Sequence, residues 1–369
     1  MAAPASTAAP LSADDSPSPC LVDVRASTAL VMQIASMQAN PAVRIDAAAI
    51  DAEISSHSSL YTTDKLPPSW AADYHYCDGT DLTAQYVFVL DAVNFCFWPM
   101  EGYEYSDLAG SLKAVLQADK EAFEAKALAN LEKATVERWL QPPTKGHFWS
   151  GAHPIAVQRR EQMAAAAAAG AAAPPVPIVP IPLLAQRTRA LREVGSALSR
   201  FFSGSAAAMV RAAGGDAARL VELMTAHFPA FRDEAIYAGR QVFLYKRAQI
   251  LVGDLWGAFE GKGLGSFSNI GALTCFADYR VPQLLRALGI MVYSPLLCKR
   301  IDSREEIVQS ETEIELRAAT IQAVEMMVAA LRKRGVQMMP FQLDWLLWER
   351  GEAQLDKLAP HHRTLTIFY

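Results

Sequence analysis

Cysteine is scarce in this chain and poorly placed for chemistry. Its five cysteines, Cys20, Cys77, Cys96, Cys275 and Cys298, are odd in number, far apart and form no CxxC pair. That argues against a disulfide framework or a zinc site, and no bound metal or other cofactor is expected. An excess of positive charge is lacking too: 34 Lys and Arg stand against 39 Asp and Glu, a net charge of −5 with a pI near 5.9. Proteins that grip DNA or RNA normally carry a basic face, because phosphate neutralisation supplies much of the affinity. A long nucleic acid is therefore not the expected partner, whereas one small nucleotide is left open. No apolar run approaches the roughly 18 residues of a membrane-spanning helix. The best candidate, Tyr86-Val-Phe-Val-Leu-Asp91, is broken by Asp91 and Asn94. The mean hydropathy of +0.10 reflects alanine, so no membrane association is expected. Residues 1–24 contain Asp14 and Asp15 but no Lys, Arg or apolar core. No secretory or transit signal is indicated, and the expected location is cytoplasmic.

What is present is mostly helical pattern. Residues 1–19, rich in Ala, Pro and Ser, are expected to be a disordered N-terminus. Helical spacing of Leu30, Val31, Ile34 and Met37 runs within Val22–Ala52. Residues 60–80 read as a loop ending in Tyr74-His75-Tyr76-Cys77-Asp78-Gly79-Thr80, and the pattern resumes over Leu108–Leu140. Composition changes at Met163–Pro182, an alanine run followed by prolines that has nothing to pack against and enough proline to prevent a long helix. The domain reading is one catalytic domain in two parts, 20–141 and 187–369, around a low-complexity Ala/Pro insertion at 142–186. Amphipathic helices are predicted over 189–213, 216–227, 242–259, 282–288, 305–334 and 341–356. Strand alternation is scarce, so the fold class is mainly α with few or no strands.

Four segments of the C-terminal half can carry chemistry. In Tyr245–Trp256, Lys246, Gln249 and Gly253 share one helix face, and the adjacent cations Lys246 and Arg247 at a buried helix start can hold a phosphate. The plainer alternative is a solvated pair. Glu260–Ser266 places three glycines in five residues, either an anion-binding backbone or a simple turn between helices. In Thr274–Gln283, Asp278 lies just before a helix opened by Pro282. It is either a capping carboxylate paired with Arg280 or an acceptor for the N–H edge of a base stacked on Phe276. The fourth segment is Phe341–Glu349, apolar around nearly the whole helical wheel apart from Gln342, Asp344 and Glu349. A carboxylate there loses hydration unless it is paired or functional. Catalysis by Asp344 and a buried ion pair with an arginine such as Arg317 stand side by side. The end of the chain, Pro360–Tyr369, reads as a docked tail.

Taken together the segments resemble the queuosine salvage protein family, whose members act as queuosine 5′-phosphate N-glycosylase/hydrolases. The resemblance rests on HYCDGTDLTAQYVFVLDAVNFCFWP (75–99), YKRAQILVGDLWGAFEGKG (245–263), FADYRVPQ (276–283), SETEIELRAATI (310–321), LDWLLWE (343–349) and PHHRTLTIFY (360–369), in that order. It covers most of the chain outside 1–20 and 140–190. It implies a helical fold like that of helix-hairpin-helix DNA glycosylases and the release of queuine, a 7-deazaguanine base, from queuosine 5′-monophosphate for reuse in tRNA modification. It also implies that Asp344 is the catalytic carboxylate, that His75, Phe276, Asp278, Leu343 and Glu349 line the base pocket, and that Lys246 contacts the substrate, at its phosphate. The family often has Asp where this chain has Glu349, and the Ala/Pro tract near 163–182 is foreign to its pattern. A non-catalytic queuine- or nucleotide-binding protein and a DNA glycosylase are the competing readings, the latter disfavoured by the acidic pI.

Overall fold

A computed structural model of the protein describes residues 20–62, 70, 73–143 and 146–369. The segment 1–19, expected to be disordered, lies outside the described residues. Fifteen helices are found among them. In the N-terminal part these are α1 (Cys20–Ser36), α2 (Ala47–Ser56), α3 (Asp81–Ala92), α4 (Tyr105–Ala118), α5 (Ala125–Ala129) and α6 (Lys133–Trp139). There follow α7 (Pro154–Ala168), α8 (Leu184–Phe201), α9 (Ala206–Ala212), α10 (Ala217–His227) and α11 (Lys246–Ala258). The last four are α12 (Arg280–Ala287), α13 (Pro295–Asp302), α14 (Glu311–Lys333) and α15 (Pro340–Glu352). Four short strands make two antiparallel pairs: β1 (Val43–Ile45) with β4 (Met291–Tyr293), and β2 (Glu234–Tyr237) with β3 (Arg240–Phe243). The fold is mainly α.

Local chemistry sets the helix ends. Asp46 Oδ1 accepts the Ala48 and Ala49 N–H groups at 2.9 and 3.0 Å, Thr80 caps α3 and Asp216 caps α10, each satisfying donors that a first turn leaves orphaned. Proline opens α13 and α15, where its missing N–H costs nothing. Beyond α12 and α14, Gly289 and Gly335 take φ of +72° and +82°, the left-handed turn that ends a helix. Buried all along Thr83–Ala92, α3 packs on α11; α14 packs on α1, and α12 on α15.

The structure departs from the sequence pattern in five places. The helical period expected over Val22–Ala52 is broken after Ser36, where α1 ends, and β1 then pairs with β4. The helix expected over 189–213 begins at Leu184 and divides at Ser203-Gly204, both with positive φ. Residues 305–310 precede α14 rather than joining it, and β3 and Tyr245 (φ +50°) precede α11. The Ala/Pro tract is not wholly unpacked either. Its alanine-rich centre is exposed, but α7 runs into it, and Val179 and Ile181 are buried. Val179 also exchanges hydrogen bonds with Gln141 at 2.7 and 3.1 Å. Apolar residues among the prolines give the tract something to bury.

Candidate active site

The cavity of interest, about 210 Å³, is walled by α11, α15, the start of α4, the side chains of Trp70, Tyr74 and His75, and the loops at 94–97 and 276–279. On α11 the lining residues Lys246, Ile250, Asp254 and Gly257 recur every three to four positions, so one helix face is turned to the cavity. On α15 the same spacing presents Asp344, Trp345, Trp348, Glu349 and Glu352.

Asp344 lies in the second turn of α15 and is buried, at 4% exposure. Its Oδ1 accepts two hydrogen bonds, from Cys275 Sγ–H and from the Phe276 N–H, both at 2.9 Å. The other oxygen takes no hydrogen bond from the described residues, and the side chain lines the cavity. Burial pushes its carboxyl up to about 7, with the charge of Asp278 acting in the same sense. The bonds from Cys275 and Phe276 and the Lys246 ammonium oppose the rise. The alternative of an ion pair with Arg317 is not realised. Arg317 is held by Asp233, with Nη1 to Oδ1 at 2.8 Å, inside a fully buried pair.

Lys246 opens α11, with its backbone N–H on Asp233 Oδ2 at 3.1 Å. Burial lowers its ammonium, while the charges of Asp278, Asp91 and Asp344 hold it up. It is the one Lys or Arg among the described residues lining the cavity. Arg247, its expected partner for a phosphate, is committed elsewhere: it is fully buried and donates to the carbonyls of Asp91, Ala92 and Ala230. The cation pair at this helix start is therefore neither a solvated pair nor a double anion site.

Phe276 packs against the glycine face of α11. A Cβ on Gly253 would stand 3.0 Å from Phe276 Cζ and 3.6 Å from the Trp345 ring, so glycine is what lets these rings come this close to the helix. Asp278 is the capping carboxylate of α12 and also faces the cavity. Its Oδ1 accepts the Arg280 and Val281 N–H groups at 2.9 and 3.0 Å. Its suggested partner Arg280 instead pairs with Glu352 and bonds Gln283. His75 lies flat on Trp70, ring centroids 3.8 Å apart, and its Nε2 is 2.9 Å from the Tyr105 hydroxyl. Glu349 stands at the exposed rim. Leu343 is the exception. It is fully buried in the core and does not line the cavity.

Other lining residues were not singled out from the sequence: Asp254, Glu104, Tyr105, Tyr279 and Tyr369. Burial raises Glu104 to about 7, with Glu352 adding to the rise. Behind the wall lies Asp91, fully buried and likewise raised to about 7 by burial. The signal that found Asp344, an acid inside an apolar run, is present at Asp91 as well. Among the described residues no cluster of three His, Cys, Asp or Glu is placed to hold a metal ion. None of their helices is long and apolar enough to cross a membrane.

Comparison with known proteins decides the family. Residues 74–172 and 176–369 match the family model described as queuosine salvage protein. The chain belongs to the queuosine salvage protein family. The Ala/Pro tract, expected to be foreign to the family pattern, is thus matched apart from residues 173–175. A Dictyostelium discoideum protein named queuosine 5′-phosphate N-glycosylase/hydrolase is 41% identical over 338 residues, 89% of this chain and 94% of the relative. Relatives of the same name in Sphaerobacter thermophilus and Bos taurus are 42% and 32% identical over 314 and 308 residues. They span 82% and 79% of this chain, and 86% and 83% of their own lengths.

Proposed function

We propose that this protein hydrolyses the N-glycosidic bond of queuosine 5′-monophosphate and releases queuine. The observation that carries the reading is Asp344: one oxygen is tied down by two donors, and the other is open to a buried cavity walled by aromatic rings. Membership of the family and the names of its relatives support the substrate. Cleavage passes through a sugar with oxocarbenium character, and a carboxylate beside C1′ stabilises the positive charge as it develops. Asp344 then acts either as the nucleophile on C1′ or as the base for water; accumulation of a glycosyl-enzyme with a slowed substrate analogue distinguishes the two. Phe276 stacks on the base, Asp278 and His75 meet its edge, and Glu349 closes the rim.

The test is release of free queuine, followed chromatographically, with nucleotide and nucleoside run in parallel. Asp344→Asn is expected to lower turnover by at least about 10³-fold while queuine binding is kept. A folded variant with wild-type turnover discards the assignment. As the lone Lys or Arg among the described residues that line the cavity, Lys246 carries the phosphate contact. Lys246→Ala is expected to lower kcat/KM for the nucleotide by roughly 10²-fold, about 3 kcal/mol for a lost charge-assisted hydrogen bond. The nucleoside should change far less; equal losses on both remove Lys246 from the phosphate.

A further inference from the structure

A second cavity, about 250 Å³, lies beside the first and has no part in the proposed reaction. The two share Phe97, Glu104 and Tyr279 in their walls, but Lys246 does not reach the second. Its cations are of two kinds. Arg280, at the wall, is neutralised by Glu352 at 2.5 Å. Arg304 and Arg363 also line the cavity, and neither forms an ion pair among the described residues. The chain brings these two together. Ile307 N–H donates to the Arg363 carbonyl at 2.7 Å, and Glu306 bridges to Arg363 as in a parallel sheet, so the segment after α13 runs beside the tail. Arg363 lies over Trp98, 5.5 Å from the ring centre. Its Nε is shut away from solvent without a hydrogen-bond partner, which leaves the Nη groups to meet a ligand. Arg304 is exposed and held at φ +59° in the turn that closes α13, its N–H on the Ile301 carbonyl at 2.9 Å. Glycine adopts that turn without cost. A residue with a side chain does not, and such strain persists where the side chain has a use.

We infer that Arg304 and Arg363 form a binding site for a phosphate group, separate from the phosphate contact assigned to Lys246. The site stands whatever reaction the first cavity performs. Burial lowers the Arg363 guanidinium and the charge of Arg304 lowers it further, against Glu101. An anion between the two arginines relieves that repulsion, and each guanidinium offers it a fork of N–H donors. The carboxylates of the wall do not outweigh them: Glu101 is exposed, and burial raises Glu104 to about 7. His361 supplies the complementary acceptor. Its Nδ1 is 2.6 Å from the His362 carbonyl, which can only accept, so Nδ1 carries the proton. Burial lowers the ring to about 4, which keeps it neutral, and it stacks on Tyr279 with centroids 4.4 Å apart. Nε2 is then left as an acceptor on the cavity wall. It suits an O–H of the ligand, either that of hydrogen phosphate or a hydroxyl of the sugar that bears the phosphate.

The experiment titrates the full chain with inorganic phosphate and with ribose 5-phosphate by calorimetry, near neutral pH and at low salt, where exposed charges are least screened. The wild type is compared with Arg304→Gly, Arg363→Gln and Lys246→Ala. Both arginine variants are expected to weaken phosphate binding at least about tenfold, the loss of one charge-assisted hydrogen bond or more. Lys246→Ala should keep it. Arg304→Gly removes a cation from an exposed turn that favours glycine, so its thermal midpoint should hold or rise while phosphate binding falls; an arginine with only a structural role would not give that split. Ribose 5-phosphate bound about tenfold more tightly than phosphate, with the gain lost in the same two variants, identifies a phosphomonoester as the ligand; equal or weaker binding identifies the free ion. A wild type that binds neither probe, binding unchanged in Arg304→Gly and Arg363→Gln, or binding lost in Lys246→Ala instead would overturn the site. A wild type that binds phosphate in this way yet releases no queuine would sink the glycosidic reading and leave the site standing.

Discussion

At the scale of single residues, the decisive feature is how Asp344 is held. Its Oδ1 is occupied by Cys275 and the Phe276 amide, which leaves the other oxygen for the chemistry proposed above. In the proposed mechanism Asp344 acts as the carboxylate, and burial pushes its carboxyl up to about 7. Turnover should therefore rise as pH rises through about 7. Cys275→Ala removes one donor to the charged form and should shift that rise upward by about one pH unit, for a bond of about 1.4 kcal/mol. Near pH 6.5 the variant should turn over several-fold more slowly, with a smaller deficit near pH 8; Cys275→Ser, which keeps a donor, should recover most of it. A pH profile unmoved in Cys275→Ala would show that the thiol is a bystander. Asp344 was legible in the sequence because a charge among large apolar side chains needs a reason. Asp91 carried the same signal but served only to break an apolar run. Asp254 was hidden because its surroundings are supplied by α3 and α4, remote in sequence.

At the scale of elements, most helices of the C-terminal half were readable from period alone, because each buries one stripe on a neighbour. What period does not reveal is pairing across long sequence separations. β1 joins β4 through Val43 opposite Tyr293, and three residues are too few to show alternation. The positive-φ turn at Ser203-Gly204, which divides α8 from α9, was equally silent among alanines. Close helix approach is another such property. Gly195 of α8 meets the backbone of α5: a Cβ there would lie 2.3 Å from Ala129 N and 2.4 Å from Ala125 O. Neither atom belongs to a flexible side chain, so Gly195→Ala must push the two helices apart. It should cost about 3 kcal/mol, near the upper end for overpacking. The loss is read as a lower denaturation midpoint with the pH profile of turnover unchanged, since α5 and α8 do not line the cavity. An unaltered midpoint would mean that the contact relaxes cheaply.

For the whole molecule, the tail that the sequence marked as docked links distant parts of the fold and closes the site. The Tyr369 carbonyl accepts the Cys96 N–H at 2.9 Å, and the Thr364 carbonyl accepts Trp98 Nε1–H at 3.0 Å, both from the loop after α3. The Arg363 carbonyl takes the Ile307 N–H at 2.7 Å, and Thr364 Oγ1–H donates to Ile307 at 2.8 Å, ahead of α14. Arg317, already neutralised by Asp233, lies 4.5 Å from the centre of the Tyr369 ring, and that ring is part of the cavity wall. Removing residues 364–369 therefore opens the cavity and leaves buried donors at Cys96 and Trp98 without acceptors. Burial of one aromatic ring and net gains of about 1 kcal/mol from each of three or four hydrogen bonds put the loss near 5 kcal/mol. The truncated protein should unfold at lower denaturant and lose queuine binding as well as turnover, because a wall of the site is gone. Leu365→Ala, at a half-exposed position in the same segment, should leave both unchanged. If the truncated protein instead bound queuine as the full chain does, the tail would be bracing the helices without shaping the cavity, and the Tyr369 ring would have no part in holding the base.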